Sequence, residues 1–429
     1  TDFNVAVGYS ALNTNTADGN TAVGYSAMKA NTTGIGNIGI GECTVGTVPA
    51  GAVHTGNYNT GIGRWSLYAN RIGCYNTALG SSTLVCNDAG CYNVAIGSTS
   101  LYSNTSGHFN TAIGYVALCN NKTGCSNVAI GCQALRLNTT GNYNQGIGDS
   151  ALRSNTEGKY NNAMGYYALY ANTTGCYNNA LGGEALTSNT TGLNNTGIGY
   201  NALACNTEGG CNTAIGAYAL KKNVDGNDNH AIGDLVLCSN TTGDRNIGIG
   251  QYALQLNTTG CYNTGIGYYA LNHNTTGVYN TGIGHSALVC NTTGEYNTAL
   301  GNKALYTSLS GDDNFAAGQC ALYSNWGGTC NTAIGKMALC ANTTGYDNTA
   351  IGCGALKKNT TGEQNNAIGR GALLNNTTGY WNNAFGPYAL TQNTTGNDNT
   401  AFGYQSLACN ISGGHNNAFG RFALCGSWG

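Results

Sequence analysis

Charge is scarce in this chain. Of 429 residues only 8% are Asp, Glu, Lys or Arg, and the net charge is −2. A chain so nearly neutral has no electrostatic footprint for nucleic acid or an anionic membrane. Proline occurs twice, no apolar run approaches about 18 residues, and no signal peptide is recognisable. The second absence excludes a membrane-spanning helix, and the third leaves a mature product or a cytosolic one. The six histidines, His54, His108, His230, His273, His285 and His415, occupy unrelated places in the sequence pattern. No His-centred metal site or nucleophile constellation therefore repeats. Glycine pairs such as Gly197-Ile198-Gly199 lack a following GK[ST] and mark no phosphate loop. Turns of calcium-binding β-rolls need Asp, which these turns lack. The expectation is no catalytic residue, no cofactor and no metal.

What the chain has instead is a period. Taking the glycine that closes Asn110–Gly114 (NTAIG) as position 0, that position recurs every 17 residues from Gly63 to Gly420, preceded by Gly8, Gly24 and Gly41. Twenty-five copies fill the sequence, which marks a solenoid and not a set of globular domains. Abundant Gly, Asn and Thr would ordinarily suggest disorder, but strictly periodic Ile and Leu argue against it. Position 13 is Asn in every copy, position 15 is Ala or Gly, position 16 is apolar, and position 4 is Leu in 23 copies. This pattern predicts two short strands per unit, around N-x-A-I-G and x-x-A-L, joined by N-T-T-G turns. Stacking would form parallel ladders of Ile, Leu and Asn about 4.8 Å apart, in a rod roughly 120 Å long.

The expected fold class is thus all-β, a parallel β-solenoid of 25 coils of about 17 residues. Residues 1–429 make one domain, with an inserted loop at 42–54. Charged residues of regular coils avoid positions 13 to 16, 0, 3 and 4, apart from Asp18 in a shortened coil, which supports assigning those columns to the core and its lining. All 28 tyrosines lie at positions 1, 2, 5, 11 or 12, among them Tyr166, Tyr167, Tyr177, Tyr268 and Tyr269. Aromatic rows on the outside of a thin rod are candidate contact surfaces.

The motifs NTAIG at Asn110–Gly114, NVAIG at Asn93–Gly97 and NNAFG at Asn416–Gly420 resemble the head repeats of trimeric autotransporter adhesins of the YadA type. The longer NTAIGYxALxxNTTG phrase also looks like repeats of phage-type tail fibres. The resemblance implies a left-handed β-roll and, for adhesin heads, trimers that attach to host matrix. The chain departs from those heads in its 17-residue period, its 19 cysteines and the want of a recognisable stalk.

The cysteines concentrate at positions 5/6 and 11/12 and lean towards an oxidising setting. Candidate disulfides within a coil are Cys86 with Cys91, Cys119 with Cys125, and Cys205 with Cys211. Between adjacent coils they are Cys238 with Cys261, Cys330 with Cys340, and Cys409 with Cys425. Cys176 and Cys290 lack a partner in phase and are candidates for cross-links between chains. Asn31, Asn104, Asn121, Asn138, Asn172, Asn189, Asn240, Asn257, Asn274, Asn291, Asn342, Asn359, Asn376, Asn393 and Asn410 are position-7 sequons, hence candidate glycosylation sites. The competing expectation is that these asparagines serve the turn. Thr1 falls at position 10 and Gly429 at position 9, so two chains placed end to end would continue the repeat. These features predict a structural subunit of an extracellular or cell-surface filament, partnered by itself end to end and laterally. The alternative is an adhesin or receptor-binding shaft using its Tyr rows on carbohydrate or matrix.

Overall fold

The computed structural model describes residues 3–46 and 53–426. The chain is an all-β parallel β-solenoid with about 17 residues per turn, and no helix occurs among the described residues. It divides into two compact units, 1–212 and 213–429. The first carries strands β1 (Val5–Val7) to β12 (Thr196–Ile198), and the second β13 (Thr213–Ile215) to β25 (Asn417–Phe419). Each strand is three residues long, covering positions 14 to 16, and within each unit consecutive strands pair in parallel. Thr111, Ala112 and Ile113, for example, face Val128, Ala129 and Ile130. The shortened second coil and the insertion leave the register intact, since Val5 faces Thr21 and Ile38 faces Thr60. Of the inserted loop at 42–54, residues 47–52, including Pro49, lie outside the described residues, as do Thr1 and Gly429.

The second strand expected around x-x-A-L does not form. In the coil beginning at Gly114, Val116 (φ 59°) and Leu118 (φ 50°) are left-handed, as is Ser126 (φ 57°) at position 12. Left-handed residues at positions 2 and 4 fold the segment into a turn, yet its backbone still bonds from coil to coil. Val116 N–H donates to Ser98 O on the preceding coil (3.1 Å), and Leu118 N–H to Ala134 O on the following one (2.9 Å). A left-handed non-glycine residue costs about 1–2 kcal/mol. Hydrogen bonds to both neighbouring coils offset that cost, so the stack imposes a conformation that the isolated unit would not hold. At position 0 only glycine fits. Gly114 has φ 139°, and a Cβ on it would lie 2.4 Å from Gly131 O.

The core is thin and half polar. In the same coil the fully buried side chains are Ala117 and Leu118 at positions 3 and 4, Ala129 at position 15, and Asn121 and Asn127 at positions 7 and 13. The small residue at position 15 is required sterically. A Cβ added to Gly265 would lie 3.1 Å from Leu254 Cγ and 3.2 Å from Ala270 O. The isoleucine column is not in the core, contrary to expectation. With position 15 inward, positions 14 and 16 of a three-residue strand must point outward. Ile215 is 37% exposed, and Ile130, Ile198, Ile232 and Ile249 are similarly placed.

Candidate functional site

The most constrained polar groups are two asparagine ladders that run inside the coils. At position 7, Asn121 Nδ2 donates to Asn104 Oδ1 on the preceding coil (2.8 Å) and to Gly124 O in its own turn (2.9 Å). At position 13, Asn127 uses its backbone N–H (3.0 Å) and Nδ2 (3.2 Å) on Asn110 Oδ1. Its Nδ2 also reaches Gly141 O on the following coil (2.8 Å). Each amide thus closes backbone groups that would otherwise be buried without partners. This corrects the glycosylation expectation. All fifteen sequon asparagines, from Asn31 to Asn410, are buried, and the Nδ2 that a glycan would occupy lies in this ladder. Asn serves the turn from the inside.

Two places vary the position-7 ladder. His54, at the end of the insertion, takes the asparagine's place between Asn31 and Asn70, with Nδ1 2.6 Å from Asn31 Oδ1 and Nε2 3.1 Å from Asn70 Nδ2. Asn70 Nδ2 can only donate, so the ring carries its proton on Nδ1. Burial lowers the His54 pKa to about 4. Ser308 replaces Asn in another coil and is too short to bridge, leaving Asn291 Oδ1 and its own Oγ buried without hydrogen-bond partners.

Outside the coil, position 12 builds aromatic stacks. Tyr58, Tyr75, Tyr92 and Phe109 follow one another at 5.1, 5.0 and 5.1 Å between centroids. Tyr143, Tyr160 and Tyr177 do so at 4.9 and 5.1 Å. Tyr166 and Tyr268 at position 1 are exposed and tilt against Tyr167 and Tyr269 at position 2, 4.2 and 4.4 Å away. In the stacks the ring faces cover one another, and solvent meets ring edges and hydroxyls. Binding a sugar by stacking needs a free aromatic face, which a column interior does not offer.

None of the nineteen cysteines forms a disulfide in this structure. Of the six expected pairs it brings together Cys409 and Cys425, whose thiols hydrogen-bond across adjacent coils. Cys91 and Cys125 are engaged elsewhere than with Cys86 and Cys119. Each thiol at position 11 donates to the carbonyl two residues back and accepts the amide of the preceding coil's position 11. Cys91 Sγ lies 3.5 Å from Ala89 O and 3.2 Å from Cys74 N, and Cys125 Sγ lies 3.4 Å from Thr123 O and 3.4 Å from His108 N. Cys261 and Cys176 do the same with Asp244 N and Lys159 N. In other coils Asn142 and Asp312 supply the acceptor oxygen. Sequence spacing missed this role. A shared preference for acceptors at position 11 is the signal that could have found it. Cys205 and Cys211 are exposed, Cys340 lies beside Cys320, and Cys238 and Cys330 are half-buried and exposed respectively. Burial pushes the Cys290 thiol upward, which disfavours the reactive thiolate that a cross-link needs.

Among the described residues, no group of three or more His, Cys, Asp or Glu side chains could hold a metal ion, and no helix is long and apolar enough to cross a membrane. The ion pairs are peripheral: Arg71–Asp88 at 2.9 Å and Arg64–Glu42 at 3.2 Å are about half exposed and contribute little. Compared with known proteins, the chain matches no family model and no curated sequence.

Proposed function

We propose that this chain is a non-enzymatic structural subunit of an extracellular or cell-surface filament, assembled by stacking coil on coil. The observation that carries this reading is the sameness of the coil-to-coil interface. Parallel register, both asparagine ladders and the turn hydrogen bonds repeat through each unit with nearly constant geometry, apart from the position-7 substitutions at His54 and Ser308. Any coil edge so built is a template for another coil, as bare sheet edges are for strand addition. Lateral association is part of the proposal. No Lys, Arg, Asp or Glu occupies any of the 25 strands, and outward Ile, Val, Leu and Phe line position 16. Twelve strands of three residues make a flat face of roughly 600 Å² per unit, approaching the about 800 Å² that each partner gives to a standard interface. The adhesin alternative is less well supported, because the stacked columns present ring edges.

Electron microscopy of the purified chain over a concentration series tests the reading. Continuous filaments with a meridional spacing near 4.8 Å are expected. Discrete rods at every concentration, monomeric by light scattering, would overturn it.

A further inference from the structure

Four consecutive coils place a soft metal donor at position 11: Cys74, Cys91, His108 and Cys125. The donor atoms occupy equivalent places, each seated on the amide of the coil before. Cys74 Sγ lies 3.3 Å from Asn57 N, Cys91 Sγ 3.2 Å from Cys74 N, His108 Nδ1 3.0 Å from Cys91 N, and Cys125 Sγ 3.4 Å from His108 N. They form a row along the stack and do not converge on a point, so a tetrahedral zinc site is excluded by geometry.

Within the row the members are not equivalent as ligands. His108 Nδ1 has a single lone pair in the ring plane, and the Cys91 amide already occupies it. Cys125 is two rungs from Cys91, about 9.6 Å at ladder spacing. Cys74 and Cys91 remain, one rung apart, and a thiolate sulfur keeps lone pairs beyond the one that accepts an amide. A disulfide needs Cβ atoms about 3.5–4.5 Å apart, less than a rung of about 4.8 Å. Zinc–thiolate bonds are about 2.3 Å, and two bonds of that order laid end to end span about 4.6 Å, close to that rung.

We infer that Cys74 and Cys91 form a linear two-coordinate site for a soft monovalent cation, Cu(I) or its congener Ag(I). Thiolates select such ions over harder ones. Both thiols lose their protons as the ion binds, and no electron is transferred. The site does not depend on the filament reading, because both sulfurs belong to one chain.

The test is a Cu(I) titration of the full chain in anaerobic buffer against a chromogenic Cu(I) chelator. Wild type is compared with Cys91→Ser and with Cys176→Ser. The hydroxyl of Cys91→Ser can still accept the Cys74 amide, so the coil is preserved. Cys176 is the control, since its position-11 neighbours are Lys159 and Leu193, neither a soft donor. Loss of one tight equivalent in Cys91→Ser, with Cys176→Ser equal to wild type, supports the site. Equal loss in both variants, or no loss in either, reduces the binding to adventitious thiol chemistry and overturns the inference. Mass spectrometry showing Cys74 and Cys91 already joined as a disulfide in the purified chain overturns it as well.

Discussion

Replacing Ser308 by Asn should strengthen the solenoid, because the position-7 ladder is broken there and the space for an amide remains. In intact coils a Cβ built on the turn glycine would meet the coil's own asparagine oxygen, as at Gly294 with Asn291 Oδ1 at 2.5 Å. At Gly311 its three nearest atoms are Gly328 O, Asn325 Nδ2 and Asn314 Nδ2. In Ser308→Asn, Nδ2 would donate to Asn291 Oδ1, and Oδ1 would accept from Asn325 Nδ2, which now donates to Gly328 O (2.8 Å). Two buried atoms without partners, Asn291 Oδ1 and Ser308 Oγ, are thereby removed. A buried unsatisfied polar atom costs about 1–3 kcal/mol, and at about 1–2 kcal/mol for each of these two neutral atoms the expected gain is about 2–4 kcal/mol. Solenoid stability is a sum of nearest-neighbour terms, and the gain should stay in the adjoining coils. Amide hydrogen exchange over residues 291–328 is therefore the appropriate assay, with a slowing of roughly 30- to 700-fold at about 1.4 kcal/mol per decade. Unchanged or faster exchange in a variant with native circular dichroism would refute the ladder as a source of stability.

The insertion should be acid-sensitive. His54 has a folded pKa lowered from 6.5 to about 4, so the unfolded chain binds the proton more readily. Stability is full above about pH 6.5 and falls as pH drops towards 4, by about 3 kcal/mol at 1.36 kcal/mol per unit. Proteolysis around residues 31–70 should accelerate across that window, and His54→Asn should abolish the dependence. Charge insertion should separate core from surface. Leu220→Asp, at a fully buried site, should unfold its coil at a cost of several kcal/mol, whereas Ile215→Asp on the outer face should cost under about 1 kcal/mol. Exchange protection of residues 204–237 reads both, and equal losses would contradict the outward placement of position 16.

Much of this architecture was legible in the sequence because a stack turns each repeated residue type into a column with one environment. Invariant Asn at position 13, Ala or Gly at position 15 and Leu at position 4 all have the buried roles their constancy implied. Position 16 misleads because hydrophobicity alone does not imply burial. In a strand as short as Thr213–Ile215, alternation fixes the facing, and Ala214 had already claimed the inside. The turn around Leu220 was illegible for another reason. A left-handed leucine, φ 50°, runs against local preference and is held by the bond from its N–H to Val236 O on the following coil (3.0 Å). The sequons were ambiguous in principle, since the same Asn-x-Thr suits an exposed acceptor and an inward amide. The cysteines were ambiguous too, since a thiol that caps an amide looks in sequence like half of a disulfide.

The asparagine ladders have a direction. Where one position-7 Asn follows another, Nδ2 reaches back to the oxygen of the coil before it, as Asn121 does to Asn104 and Asn138 to Asn121. The two faces of a coil are consequently unlike: one offers amide oxygens to be capped, and the other offers the amide hydrogens that cap them. Two like faces brought together would set oxygen against oxygen, buried and unscreened. Only head-to-tail contact satisfies both, so any assembly that extends the ladder has a plus end and a minus end, with distinct chemistry and distinct rates of growth.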